Sequence, residues 1–209
     1  MKRFLFGILS ACLPLSAAAA EQVCAADARA IDRPTYQVGD HWIQWNGVKR
    51  EITRISDNRI VLVREGKEYL YDLNMNLIQS YGARTVEPVE YRPPYQTVMY
   101  PLCPGKKWGG TGFNWFSGGY SGSYDFQAEA GQWSTYNIKT QDGRRLVFEG
   151  IPVRMTYTEK NETTTTTCWV VPELKGVGFC RSSNPAFNYT AIEHGQKRAA
   201  GGGSSATAQ

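Results

Sequence analysis

The fold is decided between residues 41 and 76, where the chain reads HWIQWNGVKREITRISDNRIVLVREGKEYLYDLNMN. Four short segments of this stretch are rich in β-branched and aromatic residues and alternate with polar positions. They are residues 41–45, 50–55, 59–64 and 68–73. Turn-forming residues separate them, as in the pair of Asn46 and Gly47. Short alternating segments between turn signals predict an antiparallel meander.

The rest of the chain extends this pattern with two interruptions. Pro88, Pro93 and Pro94 predict a connector that crosses the surface or caps an edge, since proline cannot donate to a strand ladder. Residues 108–126 mix glycine with aromatic residues and predict a glycine-rich loop. Further strand-like segments are 95–102, 124–130, 133–140, 145–148, 151–158, 163–171 and 177–181. No segment shows a sustained helical period. We therefore expect an all-β chain of about eight to eleven strands, arranged as a strongly curved antiparallel sheet or an incomplete barrel.

The start of the chain predicts export. Residues 1–20 have the order of a secretory signal peptide: Lys2 and Arg3, then an apolar run, then small residues up to Ala20. The alternative is a lipobox that ends at Cys12, in which case this cysteine would carry a lipid. We expect a periplasmic or secreted protein, with a lipid anchor through Cys12 as the second interpretation.

The remaining sequence predicts one domain of modest charge. Residues 21–198 fit a single β-rich domain, and residues 199–209 read as a disordered tail of small residues. Loss of Lys2 and Arg3 reduces the 23 basic residues to 21, against 19 acidic ones. A net charge near +2 without a basic stripe argues against nucleic acid as a partner. No later stretch approaches the roughly 20 apolar residues of a transmembrane segment.

The cysteines of the exported chain predict two disulfides. They are Cys24, Cys103, Cys168 and Cys180. A hairpin that pairs Val171 with Val177 would bring the last two cysteines opposite each other, close enough to bridge. The same register would place Trp169 opposite Phe179. We therefore expect a Cys168–Cys180 bond and, by elimination, a Cys24–Cys103 bond.

Three segments carry a resemblance to a known family. They are Tyr100-Pro101-Leu102, Gly105-Lys106-Lys107-Trp108 and Trp169-Val170-Val171-Pro172-Glu173-Leu174-Lys175-Gly176. The chain resembles a family of uncharacterised secreted bacterial proteins with these segments, which look like remote relatives of the LolA and LolB half-barrels. That resemblance implies a concave sheet that holds acyl chains. It identifies no functional residue in this chain.

Sequence signatures of an enzyme are absent. The only two histidines, His41 and His194, lack the spacing of a zinc site. Residues 119–123 begin like a nucleophile elbow but end in serine instead of glycine. Asp40 is predicted to close a turn, because adjacent strand residues point to opposite faces and it cannot orient its neighbour His41. No spacing singles out a catalytic pair of carboxylates. We expect no catalysis, no metal and no cofactor.

The aromatic residues of the glycine-rich loop are the candidate ligand-binding residues. They are Trp108, Phe113, Trp115, Phe116 and Tyr120. Exposed aromatic rings on a loop are typical of a surface for a lipid, a sugar or another amphipathic ligand. The alternative is that these rings fold back and close the open end of the barrel.

Three functional hypotheses follow from these observations. The leading one is an exported binding or carrier domain for an apolar or amphipathic ligand, such as a lipid. The second is a cell-wall or glycan-binding module that stacks sugars on Trp115, Phe116 and Tyr120. The third is a structural subunit of an envelope assembly.

Overall fold

The computed structural model describes residues 23–81, 88–116 and 121–196. The strands are β1 (Asp40–Gln44), β2 (Lys49–Ser56), β3 (Arg59–Arg64), β4 (Lys67–Asp72), β5 (Leu77–Tyr81), β6 (Pro88–Tyr95), β7 (Lys107–Phe116), β8 (Ser121–Ala130), β9 (Ser134–Lys139), β10 (Arg145–Glu159), β11 (Glu162–Val171), β12 (Gly176–Ser182) and β13 (Tyr189–Gln196). Two short 3-10 helices, Pro172–Leu174 and Pro185–Phe187, precede β12 and β13. The all-β expectation is confirmed. The predictions for residues 1–20 and 199–209 lie outside the described residues.

The sheet closes into a barrel. Strands β1 to β4 form the meander that the sequence predicted, strands β5 to β8 continue it, and β8 then pairs with β10. The ring continues through β11, β12 and β13, and β13 pairs with β1, so that twelve strands complete the barrel. The expected incomplete barrel is therefore closed. The strand number also exceeds the predicted eight to eleven, because β5, β6, β7 and β13 were not recognised as strands.

The remaining strand, β9, belongs to a flap outside the ring. Residues 145–148 and 151–158 were predicted as two strands but form the single long strand β10. Its first part pairs with β9, and from Ile151 onward it pairs with β11. The flap covers the outer side of the β11–β12 hairpin, where Tyr136 stacks on Phe179 at 5.2 Å between ring centroids. A second apolar layer thus forms against this part of the barrel wall.

The proline connector prediction is wrong, because β6 contains all three prolines. Pro88 is the first residue of the strand, a position where a missing N–H is tolerated. Pro93 and Pro94 fall where the β5–β6 register is irregular, between Glu90 and Tyr95. The strand expected over residues 95–102 is likewise wrong, since β6 ends at Tyr95.

The glycine-rich loop prediction is also wrong. Residues 107–116 and 121–130 are the paired strands β7 and β8. Glycines in β7 make room for aromatic rings from β8: Gly112 pairs with Tyr124, whose ring occupies the space of an absent side chain. Gly110 pairs with Phe126 two positions along the strand, where the ring lies 3.6 Å from the place of an added Cβ. Glycine and aromatic residues therefore alternate here as complementary halves of one ladder and not as a loop.

Both predicted disulfides are confirmed. Cys24 bonds to Cys103 with their Cα atoms 5.9 Å apart, and Cys168 bonds to Cys180 with a Cα separation of 4.1 Å. The cross-strand pair of Trp169 and Phe179 is confirmed as well. The register beyond it is corrected by one residue: Val170 faces Val177 and Val171 faces Gly176, because Gly178 forms a bulge.

One end of the barrel is covered by two irregular segments that the first disulfide joins. Ile31 of the N-terminal arm forms an isolated bridge with Leu102 of the segment between β6 and β7. Val98 and Leu102 are almost fully buried in the adjoining core. The phenol of Tyr36, further along the arm, donates a hydrogen bond of 2.8 Å to the carbonyl of Lys175. The arm is therefore part of the folded domain, as expected from Cys24.

Candidate functional site

A cavity of about 270 Å³ lies inside the barrel. Strands β1 to β6 and β10 to β13 contribute side chains to its wall, and it is bordered by both buried apolar clusters of the core. The lining combines tyrosines, methionines and aliphatic side chains with two arginines and a lysine. This mixture of apolar surface with a few polar groups is typical of a site for a small molecule.

Arg50 and Arg64 form the polar centre of the wall. They are direct cross-strand partners on β2 and β3. Each lies two residues from a fully buried aliphatic side chain, Ile52 on β2 and Leu62 on β3, and strand alternation therefore turns both arginines inward. Two basic side chains thus share the inner face of the barrel.

Aromatic rings hold the two guanidinium groups. Arg50 lies over the ring of Tyr189 at 4.2 Å from its centroid and 5.8 Å from that of Trp42. Arg64 donates a hydrogen bond of 2.8 Å to the phenol oxygen of Tyr69 and lies 4.9 Å from the centre of that ring. Such contacts stabilise a cation by roughly 0.5–2 kcal/mol each, but they do not neutralise its charge.

Neither arginine has a close carboxylate inside the cavity. The nearest acid to Arg64 is the exposed Glu65, whose carboxylate lies 3.8 Å from Nε. Within the described ranges, Arg50 forms no ion pair. The Nε atoms of both arginines are buried and lack a hydrogen-bond partner among the described residues. The cavity wall therefore carries positive charge with unused donors.

Two buried phenols face the same charges. Burial raises the pKa of Tyr71 and Tyr189 above the ordinary 10.0, and the positive charges of Arg50 and Arg64 oppose that rise. The phenol oxygen of Tyr189 is buried and has no hydrogen-bond partner among the described residues. Both phenols stay protonated at neutral pH and can donate hydrogen bonds.

The other part of the wall is apolar. Met75 and Leu77 from the β4–β5 region, Tyr95 from β6 and Met155 from β10 line it. Tyr95 stacks on Tyr157 with ring centroids 4.1 Å apart, which fixes its ring against the core. Methionine side chains adapt to irregular apolar shapes, so this surface suits a flexible chain.

A buried ionic cluster borders the same cavity. The carboxylate of Asp40 is fully buried and accepts two hydrogen bonds of 3.2 Å from Nζ of Lys175, which lines the cavity. Nε2 of His194 lies 3.3 Å from the same carboxylate, and the backbone N–H of Gln37 donates to it at 2.9 Å. The contact with Gln37 confirms the turn-closing role predicted for Asp40. Its contacts with Lys175 and His194 were not predicted, because nothing in the sequence pairs β1 with β13.

The predicted ligand-binding aromatics lie elsewhere and do not form one group. Trp108 is buried, and its indole N–H donates a hydrogen bond of 3.1 Å to the carbonyl of Gln96. Phe113 and Trp115 point outward and are 46% and 41% exposed. Phe116 shares the strand face of Trp108 by alternation and is half-buried, and Tyr120 lies outside the described residues. None of the four described residues lines the cavity.

The arginines of the cavity were missed for an identifiable reason. Arg50 counted as one member of a scattered basic pair with Lys49. Its position in the strand alternation would have indicated an inward side chain, because a residue two positions from the apolar Ile52 lies on the same face of the strand. The same reasoning places Arg64 with Leu62.

Membrane-spanning helices and metal-ligand clusters are absent from the described residues. No helix among them is long and apolar enough to cross a membrane. Within the same ranges, no group of three or more His, Cys, Asp or Glu side chains is arranged to hold a metal ion.

Comparison with known proteins gives little direct guidance. No protein-family model matches the chain, and no curated protein matches it either. One similar solved structure is that of the hypothetical lipoprotein YmcC from Escherichia coli (K12). The two share 13% sequence identity, with a TM-score of 0.41 over 72% of this chain and 83% of that chain. A likeness this distant supports no statement about ligand or activity, and the resemblance based on the Tyr-Pro-Leu and Trp-x-x-Pro-Glu segments stays a prediction.

Proposed function

We propose that this domain is an exported, periplasmic binding or carrier protein for an amphipathic ligand held inside the barrel. The observation that carries the proposal is the cavity of about 270 Å³ with its apolar and cationic sides. Its volume is close to the lower end of the roughly 300–1,000 Å³ range of small-molecule sites. A single-chain molecule or a headgroup with a short chain fits this size better than a two-chain lipid.

The two disulfide bonds support export. Disulfides form and persist mainly in oxidising compartments outside the cytoplasm. Both bonds join segments next to the cavity: Cys168 and Cys180 line it, and the Cys24–Cys103 bond ties the arm that covers one end of the barrel. Segments next to the cavity are therefore joined by bonds that form mainly in an oxidising compartment, which supports the proposal.

Native mass spectrometry of the protein purified from its own cell envelope tests the proposal. We expect a co-purifying small amphiphile, and binding of the fluorescent fatty acid cis-parinaric acid to the protein after delipidation. A ligand-free mass together with no binding of the probe would refute a carrier role.

A cavity-filling variant makes the test specific. Leu77→Trp places a large side chain on the cavity wall, whereas Val147→Trp adds the same side chain at a position that is 56% exposed. We expect the first variant to bind cis-parinaric acid at least about tenfold more weakly, and the second to bind it like the wild type. Equal binding by both variants would place the ligand outside the barrel.

A second candidate function, glycan binding, is favoured by one observation. Phe113 and Trp115 stand exposed on the outer face of β7, and Arg92 lies over the Trp115 ring at 5.3 Å. Flat aromatic surfaces of this kind can stack on sugar rings. Retention on purified sacculi by the wild type, and its loss in a Phe113→Ser/Trp115→Ser variant, would support this function, and equal retention would exclude it.

A further inference from the structure

We propose that the polar end of the ligand is an oxyanion, a carboxylate or a phosphate, that Arg50 and Arg64 bind together inside the barrel. The inference rests on the proposed function and gives it a ligand class: a single-chain amphipathic acid or phosphate. It is carried by the juxtaposition of two inward-facing arginines with no carboxylate between them.

The register of the strands places the two arginine side chains next to each other. Arg50 and Arg64 are direct partners in the β2–β3 ladder, and directly opposed residues have their Cβ atoms about 4.5–5.5 Å apart. Like charges at this separation destabilise a sheet. Both side chains point to the inner face, in phase with Ile52 and Leu62, and the Arg64 side chain is 38% exposed.

The surroundings compensate these charges only in part. Among the described residues, the Arg50 guanidinium group lies over two aromatic rings and forms no ion pair, and Arg64 forms one ion pair, with the exposed Glu65 at 3.8 Å. Their Nε donors are buried without an acceptor. A buried donor without a partner is costly, and a guanidinium group forms its strongest hydrogen bonds with carboxylate or phosphate oxygens. An oxyanion between the two arginines would supply both the missing charge and the missing acceptors.

Two phenols add hydrogen-bond donors beside the arginines. Tyr189 presents a buried hydroxyl without a partner, and Tyr71 lies close enough for both arginines to act on it. Since their raised pKa values keep these hydroxyls protonated, each can donate a hydrogen bond to a bound oxyanion. The described cavity wall holds no carboxylate that would repel such a ligand.

The apolar side of the cavity indicates that the ligand also has an apolar chain. Met75, Leu77, Tyr95 and Met155 line the same cavity as the arginines. A ligand with its oxyanion at Arg50 and Arg64 would therefore lay its chain along these side chains. An inorganic anion would satisfy the arginines but leave this apolar surface uncovered.

The decisive comparison uses the wild-type protein and two probes that share one hydrocarbon chain but differ in the charge of the headgroup. Cis-parinaric acid and its methyl ester share one chain, but only the acid is an anion. We expect the delipidated protein to bind the acid at least about tenfold more tightly, as charge-assisted hydrogen bonds predict. Equal affinities for acid and ester would overturn the inference while leaving the carrier function intact. Failure to bind either probe would instead count against the proposed function itself.

Substitutions then test whether the preference for the acid over the ester depends on Arg50 and Arg64. Arg50→Gln and Arg64→Gln should each weaken binding of the acid more than binding of the ester, and so reduce the acid-to-ester affinity ratio several-fold. Arg54→Gln is the matched control, because this arginine lies on the same strand with its side chain exposed. A ratio that survives both inner substitutions would overturn the assignment to these arginines, and ester binding also reports whether each variant has kept its cavity.

A competition experiment distinguishes an oxyanion that is the headgroup of an amphiphile from a free inorganic anion. Dodecyl phosphate and inorganic phosphate are compared as competitors of cis-parinaric acid. Displacement by dodecyl phosphate at concentrations at least about a hundredfold lower than inorganic phosphate would support an amphipathic ligand. Equal potency would overturn that part of the inference and indicate a site for a free oxyanion.

Discussion

The carbonyl oxygen of Val170 occupies the position where a side chain on Gly150 would begin. Gly150 is the last residue of β10 that pairs with the flap strand β9, and Ile151 is the first that pairs with β11. The chain thus passes from the flap into the barrel at a residue that lies directly against the neighbouring backbone. Only glycine allows this approach, so one residue determines how the flap joins the ring.

Gly150→Ala should destabilise the protein by about 2–3 kcal/mol, because backbone must move to admit the new methyl group. Gly110→Ala is the control, since its Cβ would meet nothing closer than a ring carbon of Phe126 at 3.6 Å. Urea unfolding of both variants measures the difference in the free energy of unfolding. Similar values for the two would show that the β10 crossing tolerates a side chain.

The two disulfides should contribute unequally. In the chain-entropy account, closing the 12-residue separation of Cys168 and Cys180 stabilises the fold by about 3 kcal/mol, and the 79-residue separation of Cys24 and Cys103 by about 4–5 kcal/mol. Paired Cys→Ala variants, compared by thermal unfolding, test the order. We expect the sheet to survive the loss of either bond, as monitored by circular dichroism. A larger loss from the shorter loop would contradict the order.

Stability should fall on acidification because of His194. Burial lowers the pKa of His194 below the ordinary 6.5, and the nearby Asp40 carboxylate only partly offsets this effect. Below that ordinary value the unfolded chain binds a proton that the folded protein resists, so stability decreases as the pH falls from 6.5 towards the lowered pKa. Urea unfolding at a series of pH values from 8 to 5 should show a shallower loss for His194→Gln than for the wild type. Parallel profiles would exclude the contribution.

Among the carboxylates of the described ion pairs, Asp40 should cause the largest loss of stability when it is replaced. Asp40→Ala leaves the Lys175 ammonium and His194 without their acid, and removal of one partner from a buried pair costs roughly 3 kcal/mol or more. Asp142→Ala removes a pair with Arg144 in which both side chains are more than half exposed, and it should cost much less. Chemical denaturation of both variants provides the comparison, and an equal loss would contradict the buried role.

The outer aromatics should be dispensable for folding. Trp115→Ala should change the free energy of unfolding by no more than about 0.5 kcal/mol, because the ring is 41% exposed on the barrel surface. Trp108→Ala should cost about 3–5 kcal/mol, since its ring is buried in the core. Thermal unfolding of both variants distinguishes the two faces of β7. A large loss for the Trp115 variant would show that its ring is a core element.

Local patterns were reliable in the first hairpins of the chain and in the β11–β12 hairpin. The meander from β1 to β4 follows from alternation and turn residues, and the Cys168–Cys180 bond follows from a hairpin register. Prediction failed where pairing compensated for an unfavourable local sequence. Prolines stand at a strand start and in a register irregularity of β6, and glycines of β7 are covered by Tyr124 and Phe126.

The sequence by itself determined the all-β class, the meander and the two disulfides, because these depend on alternation, turn chemistry and short-range register. The tertiary structure alone decided that the ring closes through β13 and β1, and that one cavity collects Arg50, Arg64 and Tyr189 from strands far apart in the sequence. Closure requires every strand to have a partner on both sides, a condition that no local segment contains. The sequence therefore predicted a ligand site at the aromatic residues of 108–120, whereas the structure shows the candidate cavity inside the barrel.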